Sequence, residues 1–281
     1  MKILTIGNSF SESLTAYFPQ VVQSLGKALL LGKANFGGCE LRRHWSYVKA
    51  EENDPDCRIY ANGARKLRDI LSGESWDVVT VQQASAESWR PECFEPYAGK
   101  LIDYARQHAP NAELIIQQTW AYRADDPRLQ TGSEWQINQL SMHQRLTQNY
   151  RAMGERHQCR VIPTGDAVQI SRENEPQRFC NYNQTLLEAL RWPDLPPQSG
   201  DVVGKCFWYK NQENGELELG RDLTHLNCRG QYLQACVWAA FLYQCNTDKI
   251  TFVPQELANS DAAFLREIAQ KAVEAKTFTE V

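Results

Sequence analysis

At 281 residues, 42% of them hydrophobic, the chain carries enough apolar material for one large core. Its 30 basic and 34 acidic residues are interspersed and sum to −4. That balance supplies neither the basic footprint of a nucleic-acid-binding protein nor a cationic membrane-binding face. No stretch approaches the ~18 consecutive apolar residues that a bilayer span requires, so no membrane partner is expected.

The first predicted strand begins at residue 2, leaving no room for the charged, apolar and cleavage regions of a signal peptide. The sequence as it stands is therefore expected to be cytoplasmic, or periplasmic or secreted if a leader has been removed. Nine cysteines, an odd number without CxxC pairs or zinc-type spacing, read as scattered free thiols of a reducing compartment. Eight tryptophans and eleven tyrosines supply aromatic faces suited to lining a concave, sugar-binding surface.

In chain order, Ile3, Leu4 and Ile6 form a short apolar strand that stops at Gly7-Asn8-Ser9, where the backbone can turn sharply. Ser9 then stands at the strand's C-terminal end, the ligand-binding edge of an open parallel sheet. Ser9, Ser11 and Ser13 are each also able to cap the helix predicted from Leu14 to Leu31, which Pro19 interrupts or delays. Asn35-Phe-Gly-Gly38 reads as a strand end entering a two-glycine turn. Its flexible backbone nominates the Gly38 N–H, or that of Gly37, as an oxyanion donor. His44 is a candidate substrate contact or a hydrogen-bonded structural histidine, with Trp45 beside it.

A helix is predicted from Ala64 to Leu71 and a strand from Val78 to Val81. The polar residues that follow, Gln83 and Ser85, are placed to reach a site or to serve the turn. Phe94–His108 reads as a helix and Ala112–Gln117 as a strand. Beyond it, Trp120 and Tyr122 either wall a pocket or pack beneath the next loop. Glu134–Gly154 is predicted as a long helix and Arg160–Pro163 as a fifth strand, with Gly165–Ile170 turning into a helix; His143 and His157 lack ligand-like partners. Repeated strand–turn–helix units predict right-handed crossovers and a mostly parallel sheet covered on both faces.

The pattern breaks over residues 171–220, read as an insertion that decorates a single domain and bears on substrate choice. It contains a predicted helix at Asn181–Leu190, a proline-rich loop, and a hairpin of Cys206–Tyr209 with Glu216–Leu219 that includes Trp208. A strongly apolar helix is predicted at Arg229–Tyr243 and an amphipathic one at Ser260–Lys276. Between hairpin and helix, Asp222 and His225 are three apart, in what reads as a turn entering the helix. That spacing can set a carboxylate against one imidazole nitrogen and leave the other for a nucleophile.

Gly7-Asn-Ser-Phe-Ser11 resembles the first block of the SGNH, or GDSL-type, hydrolases, with Asn8 where many members have aspartate. Asn35-Phe-Gly-Gly38 resembles their second block, whose glycine N–H serves the oxyanion hole, and Asp222-Leu-Thr-His225 their last. The likeness is closest to the bacterial DUF4886 branch. It extends to Gly-Gly-Cys-x-Leu-x-x-His-Trp, Val-Gln-Gln-Ala-Ser, Gln-Thr-Trp-Ala-Tyr and Asp-x-x-His-Leu-Asn-x-x-Gly, and runs from residue 3 to about 245. The resemblance implies a flavodoxin-like, three-layer α/β/α sandwich of about five mostly parallel strands. It also implies ester hydrolysis through Ser9, His225 and Asp222, without metal or cofactor. Ordinary members complete the oxyanion hole with an asparagine after the third strand. This chain has Gln82-Gln83-Ala84-Ser85 there, so Gln83 or Ser85 is expected to join the Ser9 and Gly38 N–H groups.

The expected substrate is a small-molecule or oligosaccharide ester carrying acetyl or another short acyl group. The basis is likeness to carbohydrate O-acetylesterases, the absence of a long apolar lid, and a polar rim including Trp45, Trp120 and Trp208. The alternatives are a broad short-chain esterase or thioesterase, and a catalytically silent carbohydrate-binding protein on the same scaffold. Oligomeric state is open.

Overall fold

The computed structural model describes residues 1–277. Its five-stranded sheet consists of β1 (Lys2–Gly7), β2 (Leu30–Asn35), β3 (Val78–Val81), β4 (Glu113–Gln117) and β5 (Arg160–Ile162), all parallel and ordered β2-β1-β3-β4-β5. This is the flavodoxin-like order, whose crevice opens where connections leave β1 in one direction and β3 in the other. The inner strands are apolar runs rather than alternating ones because helices bury both faces: Ile3, Leu4, Val79, Ile115 and Ile116 are all fully buried.

One helical layer comprises α2 (Phe18–Ser24), α8 (Thr164–Asn174), α10 (Cys228–Tyr243) and α11 (Asn259–Thr277), which pack on one another. The other holds α3 (Leu41–Asn53), α5 (Leu67–Ser72), α6 (Tyr97–His108) and α7 (Gln139–His157). Three short helices complete the order: α1 (Ser9–Glu12), α4 (Tyr60–Gly63) and α9 (Gln184–Ala189). α10 is apolar around most of its circumference because α2, α8 and α11 cover it, and Tyr232–Leu242 is buried throughout.

The predicted helix over 14–31 is replaced by a 3-10 turn at Ser13–Ala16, the short α2 beginning beside Pro19, and strand β2 from Leu30. Leu30 and Leu31 look helical beside their neighbours in sequence, but pairing with Lys2 and Ile3 makes them a strand. The hairpin is longer than predicted. β6 (Val203–Lys210) pairs antiparallel with β7 (Leu217–Leu226), so Asp222 and His225 lie on a strand instead of a turn entering a helix. Near the hairpin's base the register slips. Val203 faces Leu226 and Lys205 faces Asp222, leaving Leu223, Thr224 and His225 bulged out opposite Gly204 alone. Bulges of this kind re-aim side chains.

Candidate active site

β1 ends in line with β3, with Ile6 beside Val81, and α1 starts immediately after it. Asn8 caps α1: its side-chain oxygen accepts the Phe10 N–H at 3.0 Å, and its amide donates to the Cys39 carbonyl at 3.1 Å. With Asn8 capping, none of the three nearby serines is needed for that purpose. Ser11 turns into the molecule, within 2.9 Å of Gln82 Oε1 and 3.1 Å of Gln117 Oε1, while Ser13 donates to Gln234 at 2.7 Å. Ser9 remains partly exposed at the sheet edge, with its hydroxyl 2.9 Å from His225 Nε2.

His225 Nδ1 lies 2.9 Å from Asp222 Oδ2. The other carboxylate oxygen accepts the backbone N–H groups of Thr224 and His225, each at 3.0 Å. Burial alone would push the Asp222 carboxyl up. The hydrogen bonds from the His225 ring and from those two backbone groups outweigh it and hold Asp222 well below the usual carboxylate range. An ionised Asp222 accepts from Nδ1–H, which leaves the Nε2 lone pair for the Ser9 O–H. That is the tautomer a general base requires.

The bulge is held from behind by the chain leaving β4. The Trp120 indole donates to the Thr224 carbonyl at 2.9 Å, and the Arg123 N–H donates to the Leu223 carbonyl at 3.0 Å. Phe10 stacks on Trp120 with ring centroids 4.1 Å apart and stands 5.5 Å from the His225 ring. Asn227, the N-cap of α10, clamps the base of the hairpin by donating to the carbonyls of Asp201 and Gly204. Thr224, whose hydroxyl lies 3.2 Å from His225 Nδ1, sits between the two predicted residues in sequence. Phe10 and Arg123 carry no local signal of a role here.

The two predicted backbone donors are free: neither the Ser9 N–H nor the Gly38 N–H has a hydrogen-bond partner among the described residues. Gly38 sits at φ +59°, exposed, in a turn tied to the Ser9 loop through the Asn8–Cys39 bond. Gln83 is a correction. It is fully buried; its oxygen accepts the N–H groups of Leu41 (3.1 Å) and Ala84 (2.8 Å), and its amide donates to the Cys93 carbonyl (2.7 Å). It braces the β3 turn against α3 and does not face the cleft. Ser85 is nearly buried, with its hydroxyl 2.8 Å from that of Tyr122.

Most of the predicted aromatic contacts are also structural. His44 is fully buried between the Tyr60 hydroxyl (2.9 Å) and the Gly7 carbonyl (3.0 Å), and burial lowers its pKa to about 4. Trp45 is half-buried between α3 and α6 against Tyr104. Trp120 and Tyr122 are buried under the loop they begin. Trp208 projects from the hairpin face opposite Asp222 and donates to the Asp194 carbonyl at 2.8 Å. Beside His225 lies an open depression of about 450 Å³, lined by Asp126, Pro127, Arg128 and Arg221 to His225.

The model of a family described as a domain of unknown function, DUF4886, matches residues 2–186. The chain is similar to a DUF4886 family protein from Bacteroides uniformis, whose crystal structure aligns with a TM-score of 0.73 at 23% identity over 98% of this chain and 95% of that one. A candidate SGNH hydrolase from Slackia heliotrinireducens aligns with a TM-score of 0.53 at 19% identity, covering 86% of this chain and 98% of that one. No curated protein matches the chain. With the family model spanning well over half of its length, and the sheet order and Ser9 loop in place, the chain belongs to the DUF4886 family and has the SGNH hydrolase fold.

Proposed function

We propose that the protein is a serine ester hydrolase that removes acetyl or another short acyl group from a carbohydrate. The observation that carries this reading is the hydrogen-bonded chain from Ser9 through His225 to Asp222, 2.9 Å at each link, with Ser9 reachable from solvent. A scaffold kept only for binding has no need of that alignment.

In the proposed reaction Ser9 Oγ attacks the ester carbonyl while His225 Nε2 takes its proton, and Asp222 stabilises the imidazolium. The Ser9 and Gly38 N–H groups donate to the tetrahedral oxyanion. His225 returns the proton to the leaving alcohol, the acyl-enzyme forms, and water activated by the same imidazole releases the acid. A short acyl group and a polar alcohol are favoured because the depression beside His225 is open and the charged or polar side chains of Asp126, Arg128, Arg221 and Thr224 stand at its wall. Phe207 and Tyr209, exposed on the same hairpin face as Asp222, offer rings on which a sugar can lie.

The test is acetate release from a panel of O-acetylated sugars, run beside p-nitrophenyl acetate and butyrate. Sugar-dependent release that disappears in Ser9→Ala is the expected result. Release from no ester above the Ser9→Ala background would overturn the reading, and a preference for butyrate would redirect it to a broader esterase.

A further inference from the structure

The two acidic and two basic residues lining the depression beside His225, Asp126, Asp222, Arg128 and Arg221, balance in number but are unequally engaged. Arg128 is committed to Asp126, with Nε at 2.8 Å and Nη2 at 2.7 Å from its carboxylate, and lies over the Tyr122 and Trp135 rings. Asp222 is committed to His225 and to two backbone N–H groups. Beneath the rim, Arg123 grips both oxygens of Asp125 at 2.7 and 3.0 Å. Arg221 is left over. Its nearest carboxylate oxygen is that of Asp125 at 3.7 Å, already taken by Arg123, and its guanidinium makes no hydrogen bond among the described residues. A guanidinium with a free fork beside an ester-cleaving centre matches a planar carboxylate.

We propose that Arg221 binds an ionised carboxylate of the substrate, so that the ester cleaved is anionic; this rests on the hydrolase reading above. Two sources share that chemistry: an acidic sugar, with the carboxylate on the alcohol side, or a dicarboxylic half-ester, with it on the acyl side.

The experiment compares kcat/KM within two matched pairs: mono-O-acetylated methyl glucuronoside against the methyl glucoside, and p-nitrophenyl hemisuccinate against p-nitrophenyl acetate. Wild type, Arg221→Gln and Arg221→Lys are each assayed at low and high salt. The expected result is a preference of about tenfold for the charged member of one pair, expressed mainly in KM and weakened by salt. The ratio should collapse toward parity in Arg221→Gln and recover in part in Arg221→Lys. Whichever pair responds identifies the side that bears the carboxylate. Wild type that discriminates in neither pair, or a preference that survives Arg221→Gln, would overturn the proposal. Should no ester be turned over, the hydrolase reading fails separately, and calorimetry with the Ser9→Ala protein decides this one. Tighter binding of the glucuronoside than the glucoside, lost when Arg221→Gln is added, sustains the anion site; equal binding of the two overturns it.

Discussion

Gln83 and His44 illustrate how two residues at the sheet edge support a site without touching it. Gln83 pairs three backbone groups, two of which, the Leu41 and Ala84 N–H groups, are buried. Gln83→Ala should therefore cost about 2–3 kcal/mol in urea unfolding, without the two to three orders of magnitude in kcat that a lost oxyanion donor takes. A fall in kcat of that size at unchanged stability would restore Gln83 to the oxyanion hole. His44 donates from Nε2 to the Gly7 carbonyl, which can only accept, and so receives the Tyr60 hydroxyl at Nδ1. It fixes the end of β1 two residues before Ser9. Its pKa falls from 6.5 to about 4 on folding, so between those values the unfolded chain takes up a proton that the folded protein refuses. The neutral, buried ring thus carries no penalty above pH 6.5 and loses ~3 kcal/mol of stability as pH falls to about 4. Unfolding of wild type and His44→Gln at neutral and acidic pH should show the gap between them narrowing by about that amount.

At the scale of elements, the β6–β7 hairpin is what aims His225 at Ser9. Three residues of β7 bulge opposite one of β6, and that one, Gly204, has φ +84°. A Cβ there would stand 2.8 Å from the Asp222 carbonyl oxygen and 3.1 Å from the Arg123 guanidinium. Gly204→Ala should displace the bulge, and a misplacement of even ~1 Å is enough to cost about a hundredfold in kcat. The accompanying loss of stability should be only about 1–3 kcal/mol, because the hairpin lies outside the main sheet. Ester turnover and urea unfolding of one preparation measure both. Loss of folding without a separate kinetic effect would show that Gly204 serves the fold alone.

Across the whole molecule, Ser9 and His225, the proposed nucleophile and base, are 216 positions apart and meet because the chain traverses the full sheet between them. The crossover order brings β1, β3 and β4 into register at their C-terminal ends, so Asn8, Gln82 and Gln117 share one buried network through Ser11. α10, anchored by Asn227, then returns the hairpin to that edge. The loose pairing of Arg221 arises at the same scale: its acidic neighbours are held by arginines from another loop.

The mostly apolar strands β1, β3 and β4 were legible in the sequence because burial on both faces leaves a local mark, and so were the Ser9 turn and the Asp222–His225 spacing. Residues whose duties depend on distant partners left no such mark. Leu30 and Leu31 became a strand only by pairing with β1, and Asp222 and His225 joined a strand only by pairing with β6. A glutamine or tryptophan has the same local appearance whether it lines a cleft or braces a turn. Gln83, Trp120 and Trp208 were therefore assigned by tertiary structure, which decides whether their polar atoms meet backbone groups or solvent.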